Sequence, residues 1–115
     1  MPRAARTPEE TDWPRIAELY AILVRLTPSP VVELNRAVAV GMAFGPAAGL
    51  ALADALAAEA SLQGDHLLPS VRGDLLAKLG RVDEARAEFE RAAGLTRNAR
   101  ERELLLARAR AVTDK

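Results

Sequence analysis

The chain has 115 residues, half of them apolar, and its sixteen Lys and Arg are balanced by sixteen Asp and Glu. Zero formal charge excludes a global electrostatic pull towards nucleic acid, and the lack of cysteine excludes disulfides and thiolate metal sites. No run of eighteen apolar residues is present to span a bilayer, and the basic start, residues 1–6, lacks the apolar centre of a secretion signal. A cytoplasmic protein is expected. The length suits one domain with a single modest core. Ala and Leu account for 41 residues, against ten Ile or Val and four aromatics, which favours helix packed on helix.

Residues 1–10 read as a flexible polar lead-in. A first helix is predicted over about 12–27, capped by Thr11 or Asp12, with Pro14 in its first turn, where a missing N–H costs nothing. Ile16, Leu19, Tyr20, Leu23 and Leu26 recur at helical spacing and give it one apolar face. Thr27-Pro28-Ser29-Pro30 stops this helix, and Ser29 caps the next, which runs from Pro30 to about Phe44 and ends at Gly45. Pro46 opens a third helix to about residue 60, broken by Gly64-Asp65. A fourth is predicted over about 66–79, ending at Gly80, and a fifth over about 82–95. Asn98, with Glu101 three residues on, has the form of a capping box and opens a sixth helix to about Val112. The connections are short, so consecutive helices should be antiparallel neighbours.

A repeat underlies this order. With Thr11, Gly45 and Gly80 aligned, the spacings are 34 and 35 residues. Ile16, Leu50 and Ala85 then coincide, as do Leu23, Ala57 and Ala92, and Tyr20, Asp54 and Phe89, where Asp54 alone breaks the apolar register. A period of about 34 residues with paired helices is the signature of tetratricopeptide (TPR) hairpins. The predicted fold is all-α: TPR-like antiparallel helical hairpins stacked as an α-solenoid of about six helices. It comprises a half repeat over 11–30, repeats over 31–64 and 66–97, and a capping helix over 98–112. Gly73 and Ala85 should let two helices touch, with Phe89 filling the gap to the next. A start halfway through a repeat has the look of a piece of a longer protein.

No Gly-rich phosphate loop, nucleophile elbow or paired-carboxylate motif occurs, and Gly45-Pro46-Ala47-Ala48-Gly49 reads as a helix–helix turn. No catalytic residue, metal or cofactor is expected. Function should reside in a binding face made by the first helix of each hairpin. Its candidate groove residues are Asn35, Arg36, Met42, His66, Arg72 and Asp74. His66, the one histidine, reads first as a structural or surface residue, and Arg36 could simply be solvated. A pocket between hairpins lined by Asn35, His66 and Arg72 would instead suit a small-molecule sensor. Trp13, Ile16 and Tyr20, lacking a partner helix, would form a self-association patch and a homodimer. Residues 97–115 hold six basic side chains (Arg97, Arg100, Arg102, Arg108, Arg110 and Lys115) against three acidic ones. Without an interleaved aromatic for stacking they read as a solvated helix face, and no direct nucleic-acid contact is expected.

Several strings carry a family resemblance. Thr11-Asp12-Trp13-Pro14-Arg15-Ile16-Ala17-Glu18-Leu19-Tyr20 and, more specifically, Leu26-Thr27-Pro28-Ser29-Pro30-Val31-Val32-Glu33-Leu34-Asn35-Arg36-Ala37-Val38-Ala39-Val40 resemble the C-terminal TPR-like extension of one group of bacterial extracytoplasmic-function RNA polymerase sigma factors. Gly45-Pro46-Ala47-Ala48-Gly49-Leu50, His66-Leu67-Leu68 and the segment from Leu95 to Arg102 fit the same pattern, so that the resemblance covers about residues 9–112. It implies a regulatory protein-interaction domain without the promoter- and core-binding regions. The implied partners are the N-terminal regions of the sigma factor, RNA polymerase or a regulatory protein. The alternatives are a TPR scaffold or homodimerisation module unconnected with transcription, and the small-molecule sensor.

Overall fold

The computed structural model describes residues 11–113; the predicted lead-in over 1–10 lies outside the described residues, as does Lys115. The fold is all-α, with six helices: α1 (Trp13–Leu26), α2 (Pro30–Phe44), α3 (Pro46–Ala55), α4 (Leu67–Lys78), α5 (Val82–Leu95) and α6 (Ala99–Thr113). Each helix packs against its neighbours in the chain, and α2 also touches α4, the arrangement of a helical-hairpin solenoid.

The helix ends follow from local chemistry. Asp12 Oδ1 accepts from Arg15 N at 3.1 Å, and Ser29 Oγ from Val32 N at 3.5 Å, each meeting a donor that the first helical turn leaves free. Gly45, at φ 107°, reverses the chain between α2 and α3 in a conformation that side chains rarely adopt. Gly80 closes α4 as its left-handed cap, with Arg81 N donating to Leu76 O and Gly80 N to Ala77 O, both at 3.0 Å. The start of α5 carries a two-pronged Arg81–Glu84 pair at 2.7 Å, and this hydrogen bonding holds the Glu84 carboxyl below the usual carboxylate range.

The third helix is shorter than its Ala-rich sequence suggests. It ends at Ala55 rather than near residue 60, and a 3₁₀ turn over Ala60–Leu62 follows. Between them the chain is held by Gln63, whose Nε2 donates to Ala57 O at 2.6 Å. The early exit lets Leu56 and Leu62 both reach the core, and the 3₁₀ turn lies against α2. Tertiary burial here outweighs the helix propensity of the alanines in this stretch.

Two kinds of close approach set the helix spacing. On α3, a Cβ at Gly49 would lie 2.7 Å from Ala37 O and 2.8 Å from Gly41 Cα of α2, so α2 and α3 touch backbone to backbone. In the next hairpin the space over Gly73 of α4 is filled by the Phe89 ring of α5, whose Cε1 would stand 2.7 Å from a Cβ there. Phe89 and Leu76 are the largest fully buried side chains, and they anchor a core that runs from Leu34 to Ala109. Phe89 thus packs within its own hairpin and also meets the next helix, since the Arg108 guanidinium stands 4.6 Å from its ring centroid.

Asp54, the one break in the repeat's apolar register, has a structural use. Arg72 of α4 reaches Asp54 Oδ1 on α3 through Nε at 2.8 Å and Glu88 Oε1 on α5 through Nη1 at 2.7 Å. One guanidinium therefore braces three consecutive helices.

Candidate functional site: a three-helix face and its cleft

The helices α2, α4 and α6 present matching rows of side chains. Val31, Asn35, Val38 and Met42 share one side of α2, and Leu67, Asp74 and Lys78 take corresponding places on α4. Arg100, Leu104, Ala107 and Ala111 do so on α6. Lys78 Nζ stands 3.4 Å from Met42 Sδ, which joins the first two rows. The face is unusually apolar for an open surface: Val31, Val38, Met42 and Leu67 are between 38 and 45 % exposed and Leu104 is 60 % exposed.

Between α4 and α6 the face opens into a cleft of about 730 Å³. Its floor is formed by Leu67, Leu104, Leu105 and Ala111. Its rim is polar and mostly paired. Arg108 binds Asp74 across the cleft, and burial pushes the pKa of this guanidinium down. His66 Nε2 meets the Glu101 carboxylate, and its Nδ1 lies 3.5 Å from Asp65 Oδ1. Asp65 Oδ1 also accepts from Leu67 N at 3.0 Å, so the imidazole of His66 between them is held at the mouth of the cleft by a hydrogen-bonded turn. Arg100, also on the rim, has no ion-pair partner among the described residues.

Glu101 shows how the site borrows from local structure. The expected capping box is half formed: Asn98 Oδ1 accepts from Glu101 N at 3.0 Å. The Glu101 carboxylate turns to His66, while Asn98 N donates to Thr96 Oγ1 at 3.2 Å. Arg102 donates to Ala93 O and Thr96 O, satisfying carbonyls at the end of α5, so two of the basic residues of this segment, Arg102 and Arg108, are engaged within the fold.

The predicted groove residues are thereby sorted. Asn35 and Met42 are exposed on the α2 row, His66 lines the cleft, and Asp74 lies on the α4 row bound to Arg108. Arg36 is half-buried, and its Nε has no hydrogen-bond partner. Arg72 belongs to the α3–α4–α5 brace, and neither it nor Asn35 lines the cleft that holds His66. Trp13, Ile16 and Tyr20 are half-buried, while Leu19, Ile22, Leu23 and Leu26 of the same helix are more open. Sequence reasoning passed over Leu104, Glu101 and Arg108 as site residues. The run Leu104-Leu105-Leu106 carried a signal for the first, because three adjacent helical positions cannot all face one core. The other two are set by tertiary pairing and have no local signature.

Among the described residues no cluster of His, Asp or Glu has the makings of a metal site, and no helix is long and apolar enough to cross a membrane.

Comparison with known proteins finds a relative in Rhizobium meliloti (strain 1021), an uncharacterized protein. The two are 50% identical over 97 residues, which cover 84% of this chain and 22% of the relative. The chain thus spans about a fifth of the length of the curated relative it matches. No protein-family profile and no solved structure matches the chain.

Proposed function

We propose that this domain is a regulatory protein-interaction module of a sigma-factor-like bacterial transcription regulator, and that it holds its partner on the α2–α4–α6 face. The observation that carries the binding role is the apolar row on three successive helices, opening into a cleft rimmed by Asp74–Arg108 and His66–Glu101. An apolar centre with a polar rim is the anatomy of a protein-binding patch. The transcription role rests on the resemblance of the Leu26–Val40 string, and the longer Rhizobium relative is consistent with such a segment serving within a larger chain. Leu104 supplies the anchor, Asn35 and Arg100 the free polar contacts.

The test is calorimetric titration of the purified chain with the N-terminal regions of a sigma factor of the resembling group. Saturable binding is expected, weakened roughly tenfold or more by Leu104→Asp. Binding that Leu104→Asp leaves intact removes the face from the proposal; no binding by a folded sample removes the sigma-factor reading.

The cleft itself favours a second reading, a small-molecule sensor. Its volume of about 730 Å³ falls within the range of roughly 300–1,000 Å³ typical of ligand sites, and its floor is apolar. A ligand retained in native mass spectra, and lost when Ala107→Trp fills the cleft, would select this reading.

A further inference from the structure

The helix α1 carries a second apolar surface, separate from the α2–α4–α6 face. Its one side packs against α2, and along the other run Leu19, Ile22, Leu23 and Leu26, which are 49, 44, 39 and 75 % exposed. The repeat relates part of this side to an interface. In the repeat Leu19 takes the place of Ala53 and Ile22 that of Leu56 in the second hairpin, both buried within the stack, whereas Leu23 takes that of exposed Ala57. The Leu19–Ile22 part of the stripe thus matches a side that the next hairpin buries.

The charges beside the stripe say what fits it. Glu18 and Arg25 are seven residues apart, two helical turns, so both lie on the same flank of the stripe. When two copies of a helix pair antiparallel about a two-fold axis, a flank meets the same flank of its mate. Placing that axis beside Ile22 and Leu23 sets Leu19 against Leu26 of the second copy, and brings Glu18 within about 3 Å along the axis of the level of its Arg25, in reach of two long side chains. A parallel pair would turn this flank towards Tyr20 and Thr27, which offer no charge. Arg25 has no ion-pair partner among the described residues, and Glu18 is held only by exposed Arg15 at 3.0 Å.

We propose that α1 is a homodimerisation helix, pairing antiparallel with α1 of a second copy through Leu19, Ile22, Leu23 and Leu26, with Glu18 and Arg25 setting the direction. The interface is isologous, each copy giving and receiving the same contacts. A stripe of four side chains is small beside a standard interface, so the dissociation constant falls in the micromolar range. This leaves the α2–α4–α6 face of each copy free for a partner.

Sedimentation equilibrium of the full chain over a range of concentrations tests it. A monomer–dimer equilibrium is expected, and Ile22→Glu, an exposed substitution, abolishes it while the helical circular dichroism stays unchanged. Glu18→Arg or Arg25→Glu alone weakens the dimer roughly three- to tenfold, and the two together restore it. A chain that stays monomeric up to about 1 mM overturns the proposal. So does a dimer indifferent to Ile22→Glu, which would lie elsewhere. Single charge reversals whose double variant recovers nothing overturn the antiparallel pairing.

Discussion

Arg72 shows how much one side chain can organise in a repeat stack. Its guanidinium lies between Asp54 and Glu88, and Glu88 is itself only 13 % exposed. Burial by itself would lower the pKa of Arg72, but the hydrogen bond to Asp54 and the charges of Glu88 and Asp54 outweigh it and raise the pKa, so the guanidinium stays charged. The Glu88 Oε2 atom is buried without a hydrogen-bond partner, so Arg72 is the main compensation for that carboxylate. Arg72→Met keeps the aliphatic stem and removes the charge. It should destabilise the chain by about 1–3 kcal/mol in urea unfolding, because it strands an acid in a half-enclosed site. Adding Glu88→Gln should recover part of the loss, since the neutral amide costs less to enclose. A double variant no more stable than Arg72→Met alone would mean that the cost comes from Asp54 or from packing.

At the scale of the helices, stability turns on which glycines are occupied by a neighbour. Gly49 presses on the backbone of α2, where nothing can swing aside, so Gly49→Ala should cost about 1–3 kcal/mol and loosen α2 from α3. Gly94, near the end of α5, is the opposite case, with nothing within 4 Å of where a methyl group would stand. Gly94→Ala should raise stability by roughly 0.5–1 kcal/mol through helix propensity, and both signs are read from urea midpoints. Helix starts and stops were legible in the sequence where the cause is local. Asp12, Ser29, Gly45 and Gly80 each act within a turn of where they stand. The end of α3 was not legible, because Ala51–Ala60 contains no Gly or Pro to mark it and the reason to stop lies in burying Leu62 against α2. The site divides the same way. Asn35, Met42 and Asp74 follow from helical periodicity, whereas Arg72 shares a helix with the site yet points into a brace that only Asp54 and Glu88 define.

The whole molecule is a row of neighbour contacts, and its stability should vary along that row. The sparsest joint between successive helices is that of α3 with α4, which approach each other over a shorter stretch than any other sequential pair. On one side of it stand α1 to α3, whose core residues are mostly Ala and Leu and whose α1 stripe is open. On the other stand α4 to α6, locked around Phe89 and Leu76 and tied at the α5–α6 turn by Arg102. The Asp54–Arg72 pair and the contact of α2 with α4 are what couple the two. Native-state hydrogen exchange, run below the concentration at which α1 would pair, should therefore resolve two cooperative units, with α1–α3 amides opening at a lower free energy than α4–α6 amides. Asp54→Asn should widen the gap between them, since it removes the charge link from α3 while leaving the Arg72–Glu88 pair inside the α4–α6 unit in place. If all six helices exchange with one opening free energy in both proteins, the α3–α4 joint is as strong as the rest. The stack is then a single cooperative unit despite its smaller contact there.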